Sequence, residues 1–280
     1  TFKLPHTLGG FYGTFTEFLG FKSNSEEGKL MGLAPYGDYE NKIQRKLDSF
    51  IKYDLETGSY EIDPTYRFYA KRTYNSYFTD KLVEMFGNPR FPKSQITSFH
   101  KNLAFNVQWR LEQVVSKLVE RHVKKSKIKN ICLAGGVAMN CKMNGVLANS
   151  DNIKRIYVQP ASSDNGTALG AACLAAIEDN HKINKIMPHA YWGPQYSEYE
   201  IEKAIKETKL RYCKLDNIIN HTTLKLQQGK IVGWFNGRSE IGARSLGARS
   251  ILANPLYKNM QLKLNSEVKH RENWRPFAPS

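Results

Sequence analysis

The chain has 280 residues, of which 41% are hydrophobic and 12% aromatic. It can therefore bury a sizeable core, and its composition excludes a disordered tail, a collagen-like chain and a coiled coil. Its 41 lysines and arginines against 26 aspartates and glutamates give a net charge of +15, which suggests phosphorylated small molecules, nucleic acid or anionic lipid as partners.

The spacing of the cysteines and the length of the most apolar stretch indicate the cellular compartment. The four cysteines share no C-x-x-C spacing, which disfavours zinc modules and disulfide frameworks and favours a reducing, cytoplasmic setting. The stretch from Thr167 to Ile177 is far shorter than the about 18–20 residues of a transmembrane helix, so we expect no membrane partner. We also expect no signal peptide, because no basic-then-apolar segment begins the chain. Since the chain starts with Thr1 and ends directly after a dense motif, we expect a piece of a longer protein.

The first part of the chain predicts one clear element. Glycine and aromatic residues are frequent in the first forty positions, which end in the run from Met31 to Gly37. Residues 41–95 are polar, rich in tyrosine and weakly periodic, which indicates an insertion or an irregular cap. Residues 98–123 predict a long amphipathic helix of the core. Its apolar positions follow i, i+3 and i+4 spacing: Leu103, Val107, Leu111, Val114, Val115, Leu118 and Val119.

Beyond these residues, strand and helix patterns alternate. The runs from Ile131 to Ala134 and from Arg155 to Val158 are typical of short buried strands. A helical pattern follows the first run to about Asn149, and Thr167 to Glu178 predicts a second helix. The alternation predicts an α/β fold.

A change of composition over residues 182–194, toward lysine, proline, histidine and glycine, indicates a linker. We expect a new unit from Ser197 onward, with a helix, a strand from Ile231 to Phe235 and a loop rich in glycine and arginine.

Gly135-Gly136, between a predicted strand and a predicted helix, is a candidate phosphate cradle. Without side chains, the backbone lets an anion approach the N–H groups of the helix N-terminus, and Asn140 and Asn144 could bind the same ligand. The alternative is a tight turn without a ligand. The sequence contains no P-loop, no G-x-G-x-x-G after a strand and no H-E-x-x-H motif.

Asp164-Asn165-Gly166 follows a predicted strand and precedes a helix, where α/β folds place ligand sites. The carboxylate could coordinate a hard cation. Asp164 could equally be the N-cap of the following helix.

Residues 237–250 are the most distinctive stretch. Arg238, Arg244 and Arg249 are interleaved with three glycines, which predicts a grip on phosphate or carboxylate, and a second basic run extends from Lys269 to Arg275. A solvated basic loop is the alternative. The remaining lysines lack interleaved aromatic residues, which favours a solvated surface over a nucleic-acid groove.

Together these segments resemble the carbamoyltransferase family that includes nodulation and antibiotic-tailoring O-carbamoyltransferases. The matching stretches occur in family order and span nearly the whole chain. They are Pro5 to Gly9, Glu27 to Gly37, Leu133 to Asn140, Ser163 to Gly166, Gly237 to Pro255 and Arg271 to Ser280.

The resemblance implies two domains. Residues 1–186 would be the C-terminal portion of an actin/Hsp70-type, Kae1-like nucleotide-binding domain, and residues 187–280 the start of a YrdC-like α+β domain. The YrdC-like part would form carbamoyl-adenylate from carbamoyl phosphate and ATP, and the Kae1-like part would pass the carbamoyl group to a hydroxyl of a small-molecule acceptor. The implied metals are iron in the Kae1-like site and magnesium with ATP.

The same resemblance implies roles for individual residues. Asp164 matches a metal-ligand aspartate. Arg244, Lys269 and Arg275 match residues that hold carbamoyl phosphate or its adenylate. Five further residues match segments at or near the nucleotide: Gly135, Gly136, Asn140, Glu27 and Lys29.

The chain also departs from the family pattern. The N-terminal lobe with its paired metal-binding histidines is absent and the YrdC-like part is cut short, so we expect the piece to be inactive alone. Ala243 replaces the proline of the usual Gly-Pro-Arg-Ala-Leu-Gly run, which loosens φ but keeps the arginine. Two other hypotheses stay open: an enzyme of tRNA threonylcarbamoylation or hydrogenase maturation, and a basic nucleic-acid-binding module.

Overall fold

A computed structural model of the chain describes residues 2–54, 56–68, 77–183 and 187–278. The chain divides into two units. The first extends to Val158 and also includes Trp274–Ala278, and the second comprises Gln159–Asn273. The expected domain boundary between residues 186 and 187 stays a prediction, and residue 186 lies outside the described ranges.

The first unit is mainly helical, with two small sheets. Its helices are α1 (Leu8–Phe18), α2 (Glu27–Leu33), α3 (Asn41–Phe50), α4 (Asp80–Phe86), α5 (Ser98–Ser126) and α6 (Cys141–Ala148). Its strands are β1 (Ile51–Tyr53), β2 (Tyr60–Ile62), β3 (Asn130–Leu133) and β4 (Arg155–Val158). β1 pairs antiparallel with β2, and β3 pairs parallel with β4, Asn130 standing opposite Arg155.

The core of the first unit lies between α1, α3 and α5. Phe11, Phe15 and Phe18 recur on one side of α1 and are fully buried. The predicted long helix is confirmed as α5, whose Leu103 and Val107 are fully buried in the same core. Aromatic burial of this extent supplies much of the driving force for folding.

The prediction that residues 41–95 form an irregular cap is wrong for the residues that the structure describes there. α3 buries Ile43, Leu47 and Phe50, which are spaced i, i+4 and i+7 and belong to the core. The helical period spans only the ten residues of α3, so the polar composition of the longer stretch over residues 41–95 obscured it. Residues 69–76 of this stretch lie outside the described ranges.

The two predicted strands near Gly135 are confirmed as β3 and β4, but neither is buried, since their residues alternate between exposed and half-buried. The following helix also begins later than predicted. A 3₁₀ turn over Gly136–Met139 separates the glycines from α6, which starts at Cys141. Asn140 is therefore the N-cap of α6 and does not lie within a helical turn.

The second unit contains α7 (Thr167–Glu178), α8 (Glu198–Glu207), α9 (Ile218–Gln227), β5 (Val232–Phe235), β6 (Arg249–Leu252) and α10 (Met260–Lys263). β5 and β6 are antiparallel, with Phe235 opposite Arg249. Within the expected linker, the N–H of Gly193 donates to the carbonyl of Ser239 at 2.9 Å, so this part is anchored to the glycine–arginine loop.

The coarse α/β prediction is confirmed: the structure is mixed, mostly helical and has small two-stranded sheets. None of the helices in the described ranges is long and apolar enough to cross a membrane.

Candidate functional site

The Gly135-Gly136 turn exposes backbone directly after a parallel strand. Gly135 has a φ of +98°, a conformation that side-chain-bearing residues rarely adopt. No described atom lies within 4 Å of the position that a Cβ of Gly135 would occupy, and both glycines are exposed. The turn therefore offers the open backbone surface that a phosphate cradle requires.

Asn140 is buried beneath this turn. Its Oδ1 accepts from the N–H of Met143 at 3.0 Å and from Nε2 of Gln108 at 3.0 Å. Its Nδ2 donates to Oε1 of Gln108 at 2.9 Å. Asn144 donates to the carbonyl of Ala138 at 2.8 Å. The side-chain amide of Asn140 is thus engaged in hydrogen bonds inside the protein. Of this residue, only the backbone remains for the predicted contact with a nucleotide.

Glu27 and Lys29 lie on α2. Oε1 of Glu27 accepts the backbone N–H of Asn24, and Lys29 forms an ion pair of 2.7 Å with Glu26. Burial alone would raise the pKa of Glu26, but hydrogen bonds and the positive charges of Lys29 and Arg275 outweigh it and lower that pKa. The ammonium group of Lys29 is thus paired with the carboxylate of Glu26.

Arg275 lies in the first unit, within the segment Trp274–Ala278 that packs on and beside α2. The carbonyl of Trp274 accepts from the hydroxyl of Tyr36 at 3.0 Å. A Cβ on Gly32 would stand 3.2 Å from Cδ of Pro276, so a glycine at position 32 permits this approach. Arg244 and Lys269 belong to the second unit. The convergence of these three cations on one anion therefore stays a prediction.

The loop over residues 237–250 is organised by the carboxylate of Glu240. Oε1 of Glu240 accepts the backbone N–H groups of Leu246, Ala248 and Arg249 at 2.7, 2.8 and 3.4 Å. Burial alone would raise the pKa of Glu240, but these N–H groups outweigh it and lower the pKa. A carboxylate with three backbone donors fixes the course of the loop.

The three arginines of this loop differ in their contacts. Arg249 donates to the carbonyls of Asn236 and Gly237 at 3.1 Å each, and its guanidinium lies 3.5 Å from the ring centre of Phe235. Arg238 donates to the carbonyl of Trp192 at 3.3 Å. Arg244 is exposed, and no hydrogen bond or ion pair joins it to the rest of the described chain. Of the three, Arg244 is the one available to a ligand.

Lys269 and Asp164 are also exposed and have no side-chain partner in the ranges that the structure covers. Lys269 follows the π-helical turn Leu264–Val268. Asp164 begins a 3₁₀ turn before α7, whose N-cap is Gly166, so the carboxylate does not cap that helix. Within the described residues no three histidine, cysteine, aspartate or glutamate side chains gather as metal ligands would. Asp164 can supply one metal ligand, and the described residues do not complete a group of three around it.

Comparison with known proteins decides the family. Residues 1–173 match the model described as "Carbamoyltransferase N-terminus", and residues 223–280 match "Carbamoyltransferase C-terminus". The chain belongs to the carbamoyltransferase family.

Similar proteins come from several organisms. The uncharacterized protein sll1178 of Synechocystis sp. is 38% identical over 99% of this chain and 46% of its own length. Nodulation protein NolO of Bradyrhizobium diazoefficiens is 35% identical over 100% of this chain and 49% of its own length. Nodulation protein U of Azorhizobium caulinodans is 35% identical over 54% of this chain and 25% of its own length. The chain spans about half the length of the first two relatives.

The N-terminal family match contains Glu27, Lys29, Asp164 and the Gly135-Gly136 turn, and the C-terminal match contains every arginine of the loop over residues 237–250. The resemblance inferred from the motifs is thereby confirmed.

Sequence reasoning missed two residues of these sites, Tyr12 and Gln108. Both lie on helices far from Asn140 in sequence, so no local pattern could join them. Glu240 was expected only as a carboxylate that could offset the charge of nearby cations, and its hydrogen bonds to the loop backbone were not predicted.

Proposed function

We propose that this chain is part of an ATP-dependent O-carbamoyltransferase, with its catalytic activity carried by a longer protein. Residues 1–186 would be the C-terminal portion of an actin/Hsp70-type, Kae1-like domain, and residues 187–280 the start of a YrdC-like domain. The enzyme would form carbamoyl-adenylate and transfer the carbamoyl group to a hydroxyl of a small-molecule acceptor. Family membership and the order of the motifs support this proposal.

The proposed reaction has two stages. Water and carbamoyl phosphate yield phosphate and carbamate, and a carbamate oxygen then bonds to the α-phosphorus of ATP while the bond to pyrophosphate breaks. The acceptor hydroxyl next attacks the carbamoyl carbon and loses its proton, and AMP leaves with the electron pair. The first stage brings several negative charges together, which fixed cations stabilise.

The observation that carries the proposal is the exposed guanidinium of Arg244 in a loop whose other arginines bind backbone carbonyls. A fixed loop with one available arginine is suited to a bidentate grip on a phosphate. We assign carbamoyl phosphate to Arg244, Lys269 and Arg275.

The Gly135-Gly136 turn supports the nucleotide side of the proposal, because its open backbone fits a phosphate group. We assign a nucleotide phosphate, that of ATP or of carbamoyl-adenylate, to Gly135, Gly136 and Asn140, with Glu27 and Lys29 close to the nucleotide. Asp164 would contribute one ligand to an iron ion that activates the acceptor or orients phosphate, the other ligands coming from outside the described residues. Magnesium would accompany ATP.

The proposal is tested by pyrophosphate release from ATP in the longer protein, with and without carbamoyl phosphate. Arg244→Ala should lower carbamoyl-phosphate-dependent release by roughly ten- to a hundredfold, since charge-assisted hydrogen bonds are lost. Arg211→Ala, at another exposed arginine of the second unit, is the matched control and should leave the rate within about twofold. Equal rates for wild type and Arg244→Ala, or release that does not depend on carbamoyl phosphate, would contradict the proposal.

A further inference from the structure

A buried hydrogen-bond network joins α1, α5 and the Gly135-Gly136 turn. The hydroxyl of Tyr12, on α1, donates to Oε1 of Gln108, on α5, at 2.7 Å. The same oxygen accepts Nδ2 of Asn140, and Nε2 of Gln108 donates to Oδ1 of Asn140 and to Oε1 of Glu112. Tyr12, Gln108 and Asn140 are exposed by only 5%, 3% and 8%.

The side-chain amide of Gln108 is saturated. A glutamine amide has two donors and two acceptor lone pairs, and here all four are used. Reversing this amide would break four hydrogen bonds in a buried place, where an unsatisfied polar atom is costly. Gln108 therefore has one orientation, and it imposes one orientation on the amide of Asn140.

Asn140 transmits this constraint to the turn. Its backbone N–H donates to the carbonyl of Val137 at 3.0 Å, and Val137 lies in the 3₁₀ turn that follows Gly135. α1 touches the same turn, since a Cβ on Gly9 would stand 3.6 Å from Cγ2 of Val137. The exposed glycine turn is thus joined to a buried polar network in which the side-chain orientations are fixed.

We propose that Gln108 is a positioning residue for the phosphate-binding turn, and that Tyr12 supports it. This inference rests on the proposed nucleotide site. Glycine turns have many accessible conformations, so a turn that is fixed before binding binds its ligand more tightly. Gln108 acts through Asn140 and does not touch the ligand.

The test measures the affinity of the longer protein for magnesium-ATP by titration calorimetry, together with the melting temperature. Gln108→Met keeps the length of the side chain but removes its polar atoms. It should weaken ATP binding roughly tenfold, because a tenfold change in affinity corresponds to the free energy that one hydrogen bond typically contributes. Asn140→Asp keeps the helix cap and removes the donor to Gln108, so it should weaken ATP binding similarly. Tyr12→Phe should have a smaller effect in the same direction.

Gln44→Met is the matched control. Gln44 is exposed by 5% and bonds through Nε2 to the carbonyl and Oδ1 of Asn106 at 3.0 and 2.9 Å, in the same unit. It should lower the melting temperature as Gln108→Met does but leave ATP affinity within about twofold. Amide hydrogen exchange over residues 135–140 should accelerate in Gln108→Met and not in Gln44→Met.

The double variant Gln108→Met/Asn140→Asp should bind ATP no more weakly than either single variant, because both changes remove the same link. Wild-type ATP affinity and wild-type exchange in folded Gln108→Met and Asn140→Asp would overturn the positioning role alone. Absence of ATP binding by the longer wild-type protein would overturn the nucleotide site and the positioning role together.

Discussion

At the scale of single residues, the polar side chains of the motifs fall into two groups. Asp164, Arg244 and Lys269 are exposed, and their side chains form no hydrogen bond or ion pair within the described ranges. Asn140 and Arg249 are engaged with the protein's own amides and carbonyls. Residues of the first group are the ones whose replacement should change ligand binding and leave stability intact, because exposed side chains without partners contribute little to folding.

Asp164→Asn tests this distinction for the metal. The change keeps the size of the side chain and removes its charge, and the structure assigns the side chain no capping role. We expect lower bound iron and lower transfer activity in the longer protein, with an unchanged melting temperature. The measurements are metal analysis of the purified protein and thermal unfolding. Asp216→Asn, at another exposed aspartate of the second unit, is the control. Full metal content and full activity in Asp164→Asn would show that the carboxylate is not a ligand.

At the scale of elements, the glycine–arginine loop over residues 237–250 has a defined conformation that its own hydrogen bonds and packing maintain. Gly242 has a φ of +106°, and a side chain there would overlap the carbonyl of Pro160. The loop connects β5 to β6, and Arg249 at the start of β6 lies against Phe235 at the end of β5. Gly242 is therefore explained by backbone packing within the second unit, whereas Gly237 and Gly247 are explained by their positive φ. Glu240 holds the loop together.

Glu240→Gln should destabilise the second unit by about 1–2 kcal/mol, because hydrogen bonds to a charged acceptor are replaced by weaker ones. The sign of the pH effect follows from the lowered pKa. Stability contributed by such a carboxylate is present above its unfolded pKa of about 4.3 and is lost as the pH falls through its lower folded pKa. The difference in stability between wild type and Glu240→Gln should therefore shrink below about pH 4.

Thermal or urea unfolding between neutral pH and pH 3 measures this difference. Glu178→Gln, at an exposed glutamate of α7, should match wild type throughout. A stability difference for Glu240→Gln that is zero at pH 7, or that grows on acidification, would show that Glu240 does not organise the loop.

At the scale of the whole molecule, the question is whether the proposed carbamoyl phosphate site draws on both units. Arg275 lies beside Glu26 and α2, whereas Arg244 and Lys269 belong to the second unit. Arg275→Lys keeps the positive charge near Glu26 and removes the bidentate fork. Charge-assisted hydrogen bonds contribute about 1.5–3 kcal/mol each, so carbamoyl-phosphate-dependent pyrophosphate release should fall roughly ten- to a hundredfold.

A double-mutant cycle on the longer protein tests the convergence. If both arginines bind one anion, Arg244→Ala and Arg275→Lys together should lower the rate by less than the product of their separate effects. Transfer from preformed carbamoyl-adenylate should be much less affected, because it bypasses the first stage. Effects that multiply fully, or a wild-type rate for Arg275→Lys, would place Arg275 outside the carbamoyl phosphate site.

The sequence alone was sufficient for the family, the strands β3 and β4, the helices α5 and α7, and the candidate motifs. Each of these depends on short-range patterns: apolar spacing, paired glycines, and runs of residues that occur in a fixed order. α3 was missed although its apolar positions follow helical spacing, because the helix is short and lies within a long stretch of polar composition.

Only the tertiary structure decided which polar residues serve the fold and which remain available to a ligand. Gln108 meets Asn140 across 32 positions of the chain and Tyr12 across 96, and Trp274–Ala278 joins the first unit from the far end of the sequence. Hydrogen bonding and burial depend on distances in space, and residues distant in sequence carry no local pattern that links them. For that reason Asn140 and Arg249 looked like ligand residues in the sequence, and their side chains are held by the protein itself.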